Sequence, residues 1–264
     1  MNNIIFFPNR LGQKLIGVEK TPKILFEWIK GNKKMIQVTP NQDRNLLELF
    51  NENMKINKSK INIGGDHSMS IATVASSLRQ YKNLKVIWFD AHPDINTRIS
   101  SKTKNMHGMP LSFLSKLDNR QFFFKFPQLR LENIMYIGIR EFDTFERKII
   151  DEFKIKVIDC HEVNSYPEKS FQKIKNFIKN DPVHLSFDVD SIDPKFIFST
   201  GTKVDKGLKI EQTRYLLNKL LKENLVNIDL VELNLDIGTE EQQQESIYNI
   251  FKLFENYLTF KNDH

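Results

Sequence analysis

Leu84-Lys85-Val86-Ile87-Trp88-Phe89-Asp90-Ala91-His92-Pro93-Asp94 decides the fold: an apolar, β-prone run feeds directly into two carboxylates and an imidazole. The pattern occurs twice more. Lys60–Ile63 runs into Gly64-Gly65-Asp66-His67-Ser68, and Val183–Phe187 into Asp188-Val189-Asp190-Ser191-Ile192-Asp193-Pro194. In an open parallel sheet, ligands bind at the rim formed by the carboxyl ends of the strands. Three such clusters behind three strands predict one sheet with one site along its rim.

Working outward, Ile4–Phe7, Asn133–Ile137, Lys156–Ile158 and Asn227–Leu233 read as further strands, with Lys85–Phe89 the strand of the opening stretch. Helical periodicity over Thr21–Lys30, Ser68–Tyr81, Asp143–Phe153, Ser170–Asn180, Lys209–Glu223 and Glu240–Phe260 separates them. That alternation predicts βαβ units, and so an α/β fold whose mostly parallel central sheet is covered on both faces. No repeat, low-complexity linker or composition break divides the chain, which predicts a single domain over residues 1–264.

The clusters collect two histidines and four aspartates: His67, Asp90, His92, Asp94, Asp188 and Asp190. In extended chain, residues two apart point the same way. On that spacing Asp90, His92 and Asp94 share a side, as do Asp188 and Asp190, with Pro93 marking where the chain leaves the sheet. Four crowded carboxylates repel one another. At an effective dielectric near 20, unit charges ~5 Å apart cost about 3 kcal/mol per pair. Two divalent cations cancel that charge, and a hard-to-borderline oxygen and imidazole set without cysteine suits manganese. Two such ions sharing a water lower its pKa and generate hydroxide near neutral pH. Without them, some of the aspartates should take up protons. Each cluster alone has a structural explanation, as a helix cap or strand-end turn; all six together do not.

Other residues carry less. His184 shares the parity of Asp188 but lies deeper, which predicts a hydrogen-bonded core residue. His161 and His264 have no ligand-type partners. Phe122, Phe123, Phe124 and Phe126 read as core or a subunit contact, and the polar loop 96–105 sits on the rim.

Composition narrows the function classes. Of 264 residues, 40% are hydrophobic and 27% charged, an ordinary globular balance. The net charge of +6 comes from Lys and Arg scattered along the chain, a solvated surface and not a nucleic-acid stripe. No apolar run is long enough to span a bilayer, and Met-Asn-Asn-Ile-Ile-Phe-Phe-Pro lacks the features of a signal peptide. Cys160 is the one cysteine, which excludes a disulfide framework and favours the reducing cytoplasm.

In this order the clusters resemble the ureohydrolase family of arginases, agmatinases and formimidoylglutamases. The likeness runs from Gly17-Val18-Glu19-Lys20-Thr21-Pro22 to the last helix. It implies a three-layer α/β/α fold and a centre of two Mn2+ ions. His67 and Asp94 would bind one ion, His92 and Asp190 the other, and Asp90 and Asp188 both. Asp94-Ile95-Asn96-Thr97 and Asn105-Met106-His107-Gly108 are similar to the arginase substrate loop. By that likeness His107 shuttles protons to the leaving amine, and Asn96, Ser101 and Thr103 recognise an α-carboxylate. Gly138–Glu146 resembles the segment whose acids, here Asp143 and Glu146, meet the α-ammonium. Glu232, in Val231-Glu232-Leu233-Asn234, matches the guanidinium-binding glutamate, and Thr202 a hydroxyl nearby.

The implied activity is hydrolysis of L-arginine to L-ornithine and urea by a metal-bridging hydroxide. Asp94 would accept the nucleophile's proton and Glu232 would orient the guanidinium. A homo-oligomer, trimer or hexamer, belongs to the same resemblance; nucleic acid and membrane are not expected partners. The alternatives are an agmatinase or other guanidino or formimino hydrolase, for which Asn96 and Thr103 would be idle, and a non-catalytic arginine-binding descendant. Cobalt is an alternative to manganese. The chain departs from the family in Asp193–Val204, which lacks its usual prolines, and at Lys206-Gly207, where a glycine pair is usual. A looser loop at the guanidinium end is therefore expected.

Overall fold

Alternation within the strands decides the layering. The computed structural model describes residues 3–261, so His264 lies outside the described residues. Its strands are β1 (Asn3–Phe7), β2 (Ile29–Lys30), β3 (Asn32–Met35), β4 (Lys60–Gly64), β5 (Lys85–Phe89), β6 (Ile134–Ile137), β7 (Lys156–Ile158), β8 (Val183–Asp188), β9 (Leu225–Val231) and β10 (Thr259–Phe260). The helices are α1 (Thr21–Trp28), α2 (Gln42–Met54), α3 (Ser70–Gln80), α4 (Pro110–Leu114), α5 (Thr144–Glu152), α6 (Cys160–Ser165), α7 (Pro167–Ile178), α8 (Ile210–Leu220) and α9 (Glu240–Phe254).

Ile4 and Phe6 of β1, with Ile87 and Phe89 of β5, join the core beneath α1, α7, α8 and α9. Their alternates Ile5, Phe7, Val86 and Trp88 join a second core beneath α2, α3, α4 and α5. Two cores on opposite faces of one sheet make three layers, α/β/α. Fully burying one such side chain is worth roughly 1.5–3 kcal/mol, so the paired cores dominate the fold's stability.

The sheet has eight strands in the order β3-β1-β4-β9-β8-β5-β6-β7, and every pairing in it is parallel. Its central strands are buried throughout, as parallel strands covered on both faces must be. β4, β9, β8 and β5 are consecutive neighbours, and their carboxyl ends lie side by side on one rim.

Several boundaries differ from expectation. The last helix stops at Phe254, not Phe260; Thr259–Phe260 instead pairs antiparallel with β2, and the Phe260 ring stacks on Phe251 at 3.8 Å. The first helix stops at Trp28 for the same reason, with Gly31 at φ 133° turning the chain into β3. A short 3-10 turn, His67–Met69, precedes α3, because the Asp66 carboxylate accepts from the Ser68 N–H and reshapes its start. Gln42–Met54 is a helix beyond the expected set, opened by Asn41, whose side chain accepts from the Arg44 N–H. Of the four phenylalanines, Phe124 is buried and stacks on Phe50 at 4.6 Å, Phe122 and Phe126 pack against the core, and Phe123 points outward.

Candidate active site and metal centre

All six expected ligands meet on the rim. The Nδ1 atom of His67, after β4, lies 3.2 Å from Asp90, 3.1 Å from Asp94 and 3.1 Å from Asp188. His92 Nδ1 lies 3.0 Å from Asp190 and 3.5 Å from Asp90. Asp90 belongs to both groups, turning one oxygen to each histidine. Asp188 faces the His67 group with Oδ2, while its Oδ1 accepts from the Asp190 N–H.

The pleat spacing is not what brings them together. β5 ends at Phe89, and Asp90, His92 and Asp94 ride a loop in which Asp94 takes the left-handed φ of 50°. Asp188 ends β8 and caps a 3-10 turn, Val189–Ser191, of which Asp190 is the middle residue. The reason is local. Asp90 accepts from the His92 N–H at 2.7 Å and Asp188 from the Asp190 N–H at 2.9 Å, so each side chain folds the backbone after it into a turn.

The donor set fits divalent ions. His67 Nδ1 is buried and has no hydrogen-bond partner, though three carboxylates surround it. Metal–ligand bonds of about 2.1 Å at right angles put neighbouring ligand atoms ~3 Å apart, the spacing seen around Nδ1. Electrostatics agree. Burial, then the neighbouring Asp90, push the Asp94 carboxyl up to about 7. Burial, then Asp190 and Asp90, carry Asp188 well above the carboxylate range. Burial opposes charge on His92, but Asp190 and Asp90 push it up to about 12. Stripped of cations, this nest holds protons, as its charge predicts.

A cavity of about 210 Å³ opens beside the cluster, lined by His92, Asp94, Asn96, His107, Asp143, Glu146, Asp188, Asp190 and Thr202 among others. Asn96 donates to Asp143 at 3.0 Å, and Lys102 pairs with the other Asp143 oxygen at 3.1 Å. Glu146 is the third residue of α5 and accepts from the Asp143 and Ile95 N–H groups; burial is the main force pushing it up to about 7. Thr202 donates to Asp190 at 2.8 Å. Ser101 and Thr103 do not line this cavity: Ser101 is buried and accepts from the Lys104 N–H, and Thr103 is exposed and accepts from the Asn105 N–H.

Glu232 follows β9 at a left-handed φ of 66° and lies behind His107. It accepts from the His67 N–H at 2.8 Å and from Gln13 at 2.7 Å, and meets His107 Nδ1 at 3.1 Å. Burial opposes its charge, but His107 holds the carboxyl below its usual range. A carboxylate offers about four acceptor positions, so one is left open.

Several contributors escaped the sequence reading. Trp88 donates to Asp90 at 2.9 Å and stacks on the His67 ring at 4.2 Å; standing two residues before Asp90 in β5 was its one signal. Gln13 arrives from a loop whose Gly12 is pinned to Asp66 and His107. Arg140 corrects the expected loose loop. Its guanidinium donates to the carbonyls of Gly138, Asp190, Ser191, Val204 and Asp205, fastening that loop to the turn after β8. His184, as expected, is a core residue bonded to Ser77 and Asp229.

A model described as the Arginase family matches residues 21–252 of the chain. Among curated relatives, an arginase of Entamoeba histolytica is 35% identical, covering 95% of this chain and 96% of that protein. Arginase-1 of Bos taurus is also 35% identical, over 75% of this chain and 65% of its own length. Among solved structures, the Entamoeba histolytica arginase in complex with L-ornithine aligns with a TM-score of 0.82 at 31% identity, covering 96% of this chain and 97% of that one. The arginase of Bacillus subtilis aligns at 0.83 and 28% identity, with 95% and 97% covered. Among the described residues no helix is long and apolar enough to cross a membrane. The chain belongs to the arginase family and is a hydrolase acting on amidine C–N bonds.

Proposed function

We propose that the chain, as a single domain, hydrolyses L-arginine to L-ornithine and urea with two Mn2+ ions. The observation that carries this reading is the buried, unpartnered Nδ1 of His67 amid three carboxylates, with Asp90 shared between it and His92. His67 and Asp94 would hold the inner ion, His92 and Asp190 the outer, and Asp90 and Asp188 both. When bound, the ions supply hydroxide from water at near-neutral pH.

The chain's own groups do the rest. Glu232 presents its open acceptor position to the planar guanidinium by a charge-assisted hydrogen bond. A second guanidinium N–H requires His107 to leave Glu232, and that frees the imidazole to return a proton to the departing amine. Asp94 accepts the nucleophile's proton at its carboxylate. Asp143 and Glu146 receive the α-ammonium; Asn96, Ser101 and Thr103 serve the α-carboxylate; Thr202 steadies Asp190. The related arginase in complex with L-ornithine supports an amino-acid substrate. A homo-oligomer and residence in the cytoplasm complete the reading, the latter supported by the free thiol of Cys160.

The test is urea release from arginine and from agmatine at equal concentration, after chelation and with manganese or cobalt restored. Arginine with manganese should be fastest. Faster turnover of agmatine would replace this reading by an agmatinase, and no turnover of either would leave an arginine-binding descendant.

A further inference from the structure

A buried polar network beneath the site is unused by the chemistry above. Its centre is Asp229 of β9, fully buried, and its neighbours are donors. Asn62 donates to Oδ1 at 2.9 Å; Ser70 at 2.9 Å and Thr73 at 2.5 Å donate to Oδ2, which His184 Nε2 also meets at 3.0 Å. From Ser70 a path leads up to the rim. Its oxygen lies 3.3 Å from the Ser186 oxygen, which lies 2.8 Å from His67 Nε2.

A hydroxyl has one hydrogen to give. Ser70 gives its own to Asp229, so the hydrogen between the two serines is that of Ser186. Ser186 can then only accept from His67, which must bring the proton on Nε2. A neutral imidazole carries one such proton, so Nδ1 is left bare, facing Asp90, Asp94 and Asp188.

We infer that Asp229 is a positioning residue for His67: through the hydroxyls of Ser70 and Ser186 it fixes which ring nitrogen carries the proton and which is free for a cation. The inference rests on the reading that His67 is a metal ligand. If the path is cut at Ser70, the Ser186 hydroxyl loses its acceptor and turns its hydrogen to Nε2. In the neutral ring the proton then favours Nδ1, so an ion held at Nδ1 costs the Ser186 hydrogen bond. Partners that orient a ligating histidine typically contribute 10–100-fold to metal affinity.

The experiment compares wild type with Ser70→Ala, Ser186→Ala and Thr73→Ala. Ser70 opens α3, where alanine is well tolerated. Thr73 touches Asp229 but is off the path to His67. Manganese binding to the stripped proteins is measured by calorimetry. In the proteins loaded with a diamagnetic divalent ion, solvent exchange of the His67 Nε2 proton is measured by 15N NMR. Ser70→Ala should weaken binding about 10-fold and Ser186→Ala up to about 100-fold, both with faster proton exchange. Thr73→Ala should lower the melting temperature and leave affinity within about twofold, below the range such partners contribute. Unchanged affinity and exchange in Ser70→Ala, or an equal loss in Thr73→Ala, overturns the inference while leaving the metal site standing. Failure of wild type to bind manganese removes both.

Discussion

His67 and His92 meet the same carboxylate, Asp90, from two sides, yet they are held in different ways. The His67 side chain is 1% exposed, stacked on Trp88 and backed by Ser186 from within β8. The His92 side chain is 25% exposed; its outer nitrogen has Glu141 no nearer than 4.0 Å, and its partner Asp190 is steadied by loop contacts from Ala91 and Thr202. The inner half is buried against the strand ends and Trp88, although its Asp94 rides the same loop as His92, and the outer half is more exposed and steadied mainly by loops. Parts fixed by packing are preorganised, while parts fixed by loops open at lower free energy. The outer ion should therefore be the exchangeable one.

Four experiments test that contrast, beginning with the largest effect. Asp90→Ala removes the residue common to both halves and should abolish the difference. Both ions are then lost, and urea production falls by about 10^3-fold or more, the upper range for losing a key electrostatic element. Retention of one tight ion would show that the halves are independent. Next, His92→Ala should keep one manganese per chain under mild chelation whereas His67→Ala keeps none, as read by elemental analysis. Equal retention would break the contrast. Arg140→Lys cannot reproduce the five-donor fork and should weaken the outer ion by roughly 10-fold, the low end for groups that orient metal ligands, leaving the inner one unchanged. Finally, His107 is pushed up to about 9: burial opposes its charge, but Glu232 outweighs it. Its folded pKa thus lies above the unfolded value of about 6.5. The pair's stabilisation is full below about pH 6.5 and disappears as pH rises through about 9. In His107→Asn, the decline of denaturant-measured stability across that window should flatten by on the order of 1–3 kcal/mol.

The same contrast explains what the sequence made legible. Runs of β-prone residues ending in Asp or His mark β4, β5 and β8, although only β5 is continuously apolar past its first residue: β4 carries Asn62 and β8 carries His184 and Ser186, each buried and hydrogen-bonded. The convergence of the six candidate ligands was legible, though their placement by pleat was not, since Asp90 and Asp188 bend the chain as soon as it leaves the sheet. Arg140 was hidden because its oxygen acceptors are all main-chain carbonyls, which leave no residue pattern. Gln13 was hidden because its partner is 219 residues away. The edge pair β2 and β10 escaped because two-residue strands carry no period. Ser101 and Thr103 fit a family motif, yet their hydroxyls here serve the loop's own backbone.

Asp94 carries a further consequence. It holds a left-handed backbone that ordinary side chains rarely adopt, beside carboxyls that repel it. Asparagine at that position would remove the repulsion, and glycine would relieve the backbone as well, by about 1 kcal/mol. Selection for catalysis and selection for a sturdy fold therefore pull on this residue in opposite directions. In a lineage that has ceased to need the reaction, decay toward a silent, hardier descendant would begin here, and the identity of this amino acid would date the retirement.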